Sequence, residues 1–403
     1  MTKYLLLKFR TPSHWISCHH LLTELELSYH QAFGNIVTFE LDLDEATWEQ
    51  SCLEIASHQP DVIIFADHRI RVPLWVHFLK KQLPYKVSWA IHAYGCFSGR
   101  VDEWMQLAQL IPNDEIKILS GSETHTEIIR QFFLNPHVVE TLAFPYQEKL
   151  TGLRQERRLL ARKNYQLSES DLVFTYAGRI SYQKNVHHLI NLFNQLASTD
   201  KKIKLFIAGQ PDDKNPRELP HGYYLNHAAE LFQLELSTSK LQVTYLQQLS
   251  SDELHELYQA SDYAVSFSTL YGEDYGRSLI EGLSTGLGVI ATRWGGHKDL
   301  ASLPQVKLID VVLENENLKL DLGQLESYLK DVAPQDHEYN IQAFKAQFGH
   351  DQAVRKLQNL YQNFTSLGGI SREAVLFDLK ENNPWKGKEF FNLHEKILQP
   401  YWK

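Results

Sequence analysis

Short apolar runs alternate with longer amphipathic stretches along most of this chain, and they do so in two separate series. The first series of runs covers 4–9, 35–40, 61–66, 86–91, 115–119 and 137–142, with helix-like stretches at 45–57, 72–82 and 123–132 between them. The second covers 172–177, 203–208, 241–246, 263–266, 289–292 and 306–309, with helices expected at 186–197, 251–260 and 277–285. Further helices are expected at 340–348 and 352–364. Strands that alternate with helical patterns build βαβ units and parallel sheets covered on both faces. Two such series predict an α/β protein of two Rossmann-like, doubly wound domains. Sheets of this kind bind ligands outside the carboxyl ends of their strands. A ligand held between two domains facing across a cleft is the expected arrangement.

The 403 residues are enough for two or three domains at roughly 150 residues each. The boundaries read as 1–150, 151–371 and a final segment, 372–403, that crosses back to the amino-terminal domain, with Pro384 and its aromatic neighbours as anchors. Between the two series, 147–166 carries Arg154, Arg157, Arg158, Arg162 and Lys163 and no strand-like run. It reads as a linker and a solvated charged helix. Leu159 and Leu160 would also let it touch an anionic membrane surface. Forty Lys and Arg against 49 Asp and Glu give a net charge of −9, which disfavours bulk capture of nucleic acid. Cys18, Cys52 and Cys96 form no disulfide framework or metal clip and fit a reducing, cytoplasmic setting. No run approaches the length of a membrane span, and the apolar run at 4–9 is too short for a secretory signal.

Two stretches carry chemistry. Gly178-Arg179 through Lys184-Asn185 follows a strand and precedes a helix. Gly178 permits a sharp turn at the strand end. Arg179 and Lys184 then stand beside free N–H groups, a suitable diphosphate site. The second stretch runs from Ser266 to Gly286 and places Glu273 before, and Glu281 within, a helix that begins with Gly276, Arg277 and Ser278. The unpaired N–H groups and positive dipole end of that helix suit a phosphate. Glu281, about one turn in, can accept hydrogen bonds from vicinal ribose hydroxyls, and Glu273 points at whatever the diphosphate carries.

These motifs resemble those of a retaining GT-B glycosyltransferase of the GT4-like family, the glycosyl transferases group 1. The resemblance rests on Gly178-Arg179 with Lys184, on Glu273 with Glu281, on Trp294-Gly295-Gly296-His297, and on 245–268 as a base-binding loop and helix. It implies a GT-B fold and transfer of a hexosyl group from a UDP- or GDP-linked sugar, with retention and with no metal or other cofactor. Arg179 and Lys184 would neutralise the departing diphosphate, and Glu273 would contact the donor sugar. His92, at the end of the strand before Ala93-Tyr94-Gly95, would face that sugar from the amino-terminal domain. Gly178, Tyr245, Leu246, the residue at position 250 (Ser250), Tyr275, Gly276, Arg277, Ser278 and Glu281 would bind the nucleotide. The acceptor would be a glycan, a lipid or a protein, reached from the cytoplasm or from the inner face of a membrane. The chain departs from the pattern at Gly286-Leu287-Gly288-Val289, at Asp299, and in the first loop, 9–15, which has no glycine.

Rival readings are weaker. Asp42-Leu43-Asp44 offers a metal-binding carboxylate pair, but Asp44 reads better as a helix N-cap. No G-x-G-x-x-G follows the first strand of either half, which disfavours a dehydrogenase. A degenerate module serving as a non-catalytic scaffold remains the alternative, and the intact set Arg179, Lys184, Glu273 and Glu281 argues against it.

Overall fold

The computed structural model describes residues 2–10, 16–42, 44–95, 97, 101–146, 154–181, 184–196, 202–211, 232–233, 236–237, 243–269, 273–314, 317–330, 332 and 335–371. The chain divides into two compact units, Met1–Gln147 joined by the stretch from Phe348, and Glu148–Gln347. The expected final segment, 372–403, lies outside the described residues.

The first unit runs β1 (Tyr4–Phe9), α1 (Ile16–Phe33), β2 (Ile36–Leu41), α2 (Trp48–Ser57), β3 (Val62–Phe65), α3 (Val72–Gln82), β4 (Ser88–His92), α4 (Val101–Leu110), β5 (Glu115–Ser120), α5 (Glu123–Arg130) and β6 (Val139–Thr141). Its inner strands are apolar on both faces, as a parallel sheet covered on both sides requires. Ile63, Ile64, Phe65, Trp89 and Ile91 have no exposed surface. Each such side chain contributes about 1.5–3 kcal/mol on burial. Asp42 and Asp44, the carboxylate pair weighed above, accept hydrogen bonds from the backbone N–H groups of Asp44 and Ala46 at 3.0 and 3.1 Å. Both therefore shape the turn into α2.

The second unit runs α6 (Arg154–Asn164), β7 (Leu172–Ala177), α7 (Val186–Leu196), β8 (Ile203–Ala208), β9 (Val243–Tyr245), α8 (Ser251–Ala260), β10 (Tyr263–Ser266), α9 (Arg277–Ser284), β11 (Gly288–Thr292), β12 (Val306–Ile309), a hairpin of β13 (Val311–Glu314) and β14 (Asn317–Leu320), α10 (Leu322–Lys330) and α11 (His337–Phe348). Its six-stranded sheet has the order β12-β11-β10-β7-β8-β9, parallel throughout. Phe174, Leu205, Ile207 and Phe193 pack between this sheet and α7 with no exposed surface.

Two expectations change. The stretch from Phe348 to residue 371 groups with the first unit rather than with the second. From there α12 (His350–Leu360) lies on α1, where His350 Nε2 meets Gln31 Oε1 at 2.8 Å and Gln358 donates to the Ala32 carbonyl at 3.0 Å. Then β15 (Thr365–Ser366) pairs antiparallel with β5, and the first sheet takes the order β15-β5-β4-β3-β1-β2, with β6 also on β5.

The second change concerns α6, which is not a solvated helix. Arg154 and Arg162 are buried, whereas Leu159 and Leu160 are 55% and 61% exposed. Arg154, Arg158 and Arg162 follow one another at four-residue steps, so they share one helix face. They cap the carboxyl ends of α8 and α9. Arg154 donates to the carbonyls of Gln259 (3.0 Å) and Thr285 (2.7 Å), and Arg162 to that of Ala260 (2.9 Å). Arg158 donates to the Ser261 carbonyl and to the Asp262 carboxylate, both at 2.6 Å. Carbonyls that a helix end leaves unpaired are satisfied here by fixed cations.

Candidate active site

The functional side chains of the second unit gather where β7, β10 and β11 end. Gly178 follows β7 directly, and its N–H donates to the Ala208 carbonyl at 2.9 Å. Arg179 comes next, and its carbonyl accepts from the Tyr176 hydroxyl at 2.6 Å. Asn185 closes the loop in a left-handed conformation (φ 53°), which asparagine tolerates. Its side-chain amide donates to the Phe267 carbonyl (2.8 Å) and to Thr269 Oγ1 (3.1 Å). The β7–α7 loop is thereby tied to the segment after β10.

Across that tie Lys184 Nζ donates to Glu273 Oε2 in a close ion pair. Burial alone would raise the Glu273 carboxyl, but Lys184, with smaller contributions from His297 and Ser268, outweighs it and holds the group down to about 2. Only 7% of Glu273 is exposed. Its backbone carbonyl accepts from Gly296 N–H at 3.0 Å, which anchors it to the turn after β11.

Gly276 caps α9 with φ 63°. Arg277 Nε donates to Glu281 Oε1 at 3.0 Å, one turn along, and the Ser278 carbonyl accepts from the Tyr258 hydroxyl at 3.0 Å. Glu281 is 8% exposed and Tyr275 is buried. Burial drives the Tyr275 hydroxyl well above its usual range, so it remains a neutral phenol. The eight-residue α9 begins next to these side chains and brings the positive end of its dipole there.

Tyr245 closes β9 and packs edge-on against Phe232. Leu246 donates its N–H to Ile207. Ser250 instead serves as the N-cap of α8, in a capping box with Glu253.

One residue of this cluster entered from sequence only as the end of the Gly-Gly motif, with no role of its own. His297 is fully buried. Its Nδ1 lies 3.3 Å from both the carbonyl and the hydroxyl of Thr292, and that hydroxyl donates onward to the Ser268 carbonyl. Two acceptors at Nδ1 assign the ring proton there. Nε2 then carries a bare lone pair, which has no hydrogen-bond partner among the described residues. It lies 2.7 Å from the point a Cβ on Gly276 would occupy. Burial lowers the pKa of this ring, so it stays neutral beneath the α9 turn. The only signal in the sequence was its place directly after Gly295-Gly296.

His92, the remaining sequence candidate, belongs to the first unit. It ends β4 in the first unit and is fully buried. Its Nε2 meets the Tyr29 hydroxyl and its Nδ1 the Tyr94 hydroxyl, each at 2.7 Å. Tyr29 in turn meets Tyr361 at 2.5 Å. Burial lowers the His92 pKa to about 3. In this arrangement both ring nitrogens are spoken for by tyrosines.

Residues 158–309 match the glycosyl transferases group 1 family. A stretch of 254 residues is 29% identical to alpha-monoglucosyldiacylglycerol synthase of Streptococcus pneumoniae, covering 59% of this chain and 53% of that protein. The matched stretch thus spans about half the length of that relative. Among solved structures, a glycosyltransferase from Rickettsia africae superposes with a TM-score of 0.64 at 14% identity, covering 90% of this chain and 98% of that one. The Anabaena protein HepE, solved with UDP and glucose, superposes with a TM-score of 0.63 at 12% identity, covering 90% and 100%. Sucrose-phosphate synthase from Thermosynechococcus elongatus superposes with a TM-score of 0.62 at 14% identity, covering 90% and 98%. At these identities the likeness establishes the fold, which is GT-B.

Proposed function

We propose, from the premise that residues 158–309 are a glycosyl transferases group 1 domain, that the protein transfers a hexosyl group from a UDP- or GDP-linked sugar to an acceptor with retention of configuration. The observation that carries this reading is the convergence of Lys184, Glu273 and the first turn of α9. Breaking a sugar–phosphate bond leaves extra negative charge on the diphosphate. Fixed cations and dipoles aimed at that charge stabilise the transition state. In this reading the N–H groups of Arg277 and Ser278 hold the phosphate, and Arg179 and Lys184 neutralise the leaving charge. Glu281 takes the ribose hydroxyls and Glu273 the sugar hydroxyls. Its pKa of about 2 keeps Glu273 an acceptor across the whole working pH range.

Because the chain's own cations fill the role of a divalent metal, the reaction proceeds without one. The acceptor is a glycan, a lipid or a protein. The name of the pneumococcal relative, a glucosylated-diacylglycerol synthase, favours the lipid, and with it a cytoplasmic protein working peripherally at the inner face of a membrane. Among the described residues no helix is long and apolar enough to cross a membrane.

The test offers radiolabelled UDP- and GDP-hexoses, with a membrane-lipid extract as acceptor, to the wild type and to Glu273→Ala. Label passing to the extract with the wild type alone supports the reading. Equal and zero turnover by both proteins, with no hydrolysis of any donor, would instead mark a non-catalytic binding module.

A further inference from the structure

Resting on that reading of the donor site, we infer that Glu273 also drives product release by taking Lys184 back from the diphosphate. Four observations lead there. Lys184 and Glu273 form a close ion pair, and both side chains are largely buried (17% and 9% exposed). Glu273 is ionised at any working pH. The backbone on both sides is pinned, at Asn185 to Phe267 and Thr269, and at Glu273 to Gly296. Only the lysine side chain is therefore needed to change partners, and four rotatable bonds let it do so.

One carboxylate then serves two acceptor roles in sequence. While the sugar is attached, its hydroxyls donate to Glu273 and share that carboxylate's charge, and Lys184 turns to the diphosphate. Once the sugar has left for the acceptor, Glu273 has lost those donors. It competes again for the ammonium, and its negative charge also repels the diphosphate beside it. In a partly buried site such charge terms are weakly screened. Free nucleoside diphosphate is thereby held less tightly than the same diphosphate carrying its sugar. A carboxylate that only bound sugar would leave the affinity for the free diphosphate untouched.

The experiment is calorimetric titration of the full chain with UDP and with GDP, comparing wild type, Glu273→Gln, Lys184→Met and the double variant. Glu273→Gln keeps the side-chain shape and removes the competing charge. With whichever nucleotide the wild type prefers, Glu273→Gln is expected to bind about tenfold tighter, a difference of about 1.4 kcal/mol. Lys184→Met is expected to bind more weakly than wild type, and the gain from Glu273→Gln is expected to vanish in the double variant. In steady state the same Gln variant should show stronger inhibition by nucleoside diphosphate. A general loss of folding would weaken binding, the opposite sign. Unchanged or weaker diphosphate binding by Glu273→Gln in a wild type that does bind would overturn the release role and leave the donor site standing. If the wild type binds neither UDP nor GDP, the donor-site reading falls and this inference falls with it.

Discussion

Gly276→Ala tests the geometry of the α9 turn most sharply. Gly276 sits at φ 63°, ψ 70°, a conformation that costs an alanine about 1–2 kcal/mol. The new methyl would also lie 2.7 Å from His297 Nε2 and 3.0 Å from its Cδ2. The ring cannot retreat freely, because it is fully buried and held at Nδ1 by Thr292. Overpacking of this kind costs about 1–3 kcal/mol. A stiffer unfolded chain returns about 0.5 kcal/mol. The net expectation is a loss of about 2–4 kcal/mol, read as a shift in the urea unfolding midpoint of the second unit. Nucleotide affinity should fall with it, since the N–H groups of Arg277 and Ser278 move with the turn. His297→Ala in the same chain removes the clash but not the backbone strain. The two substitutions should therefore be non-additive by about 1–3 kcal/mol. Additive effects, or an alanine variant that unfolds and binds like wild type, would refute the packing argument.

Four further outcomes follow from the same geometry. Lys184→Ala is expected to lose about 2–4 kcal/mol of transition-state stabilisation, a fall of about 30- to 1000-fold in kcat/KM in the hexose-transfer assay. Arg158→Ala removes the nearer of the two arginines on the buried Asp262 carboxylate and leaves Arg162 at 3.6 Å, and the second unit should lose about 1–3 kcal/mol in urea unfolding. EDTA should leave hexose transfer unchanged, and activity lost on chelation and restored by Mn²⁺ would contradict the metal-free proposal. Acid should weaken the first unit through His92. Its folded pKa, about 3, lies below the usual value of 6.5, so the unfolded chain binds more protons in between. Stability is then complete above about pH 6.5 and falls with pH below it, by about 2 kcal/mol at pH 5 from this one ring. His92→Gln should flatten that part of the pH profile.

Much of this was legible in sequence because parallel sheets write themselves as apolar runs. The strands at 4–9, 172–177, 203–208 and 306–309 and the helices at 72–82 and 251–260 coincide with the observed β1, β7, β8, β12, α3 and α8. Gly178, Glu273 and Gly276 stand between strand and helix, at junctions that the periodicity marks.

What stayed hidden depends on contacts distant in sequence. The arginines of α6 looked solvated because nothing local shows that they meet the carbonyls of Gln259, Ala260 and Thr285. The fate of His92 depends on hydroxyls at Tyr29 and Tyr361, far along the chain in both directions. The return at Phe348 was invisible because α11 and α12 are separated only by Gly349, and both read as helix. His297 has no periodicity to betray it, and its role emerges only from the space it fills beneath Gly276.

The central claim is that the loop after β7 and the amino end of α9 together receive a nucleotide diphosphate. A crystal structure of the chain soaked with a UDP- or GDP-hexose tests it most directly. The account predicts diphosphate density within hydrogen-bond distance of the Arg277 and Ser278 N–H groups, with Lys184 Nζ turned onto it and Glu273 left to the sugar. Density elsewhere, or Lys184 still closed on Glu273 beside a bound nucleotide sugar, would contradict it.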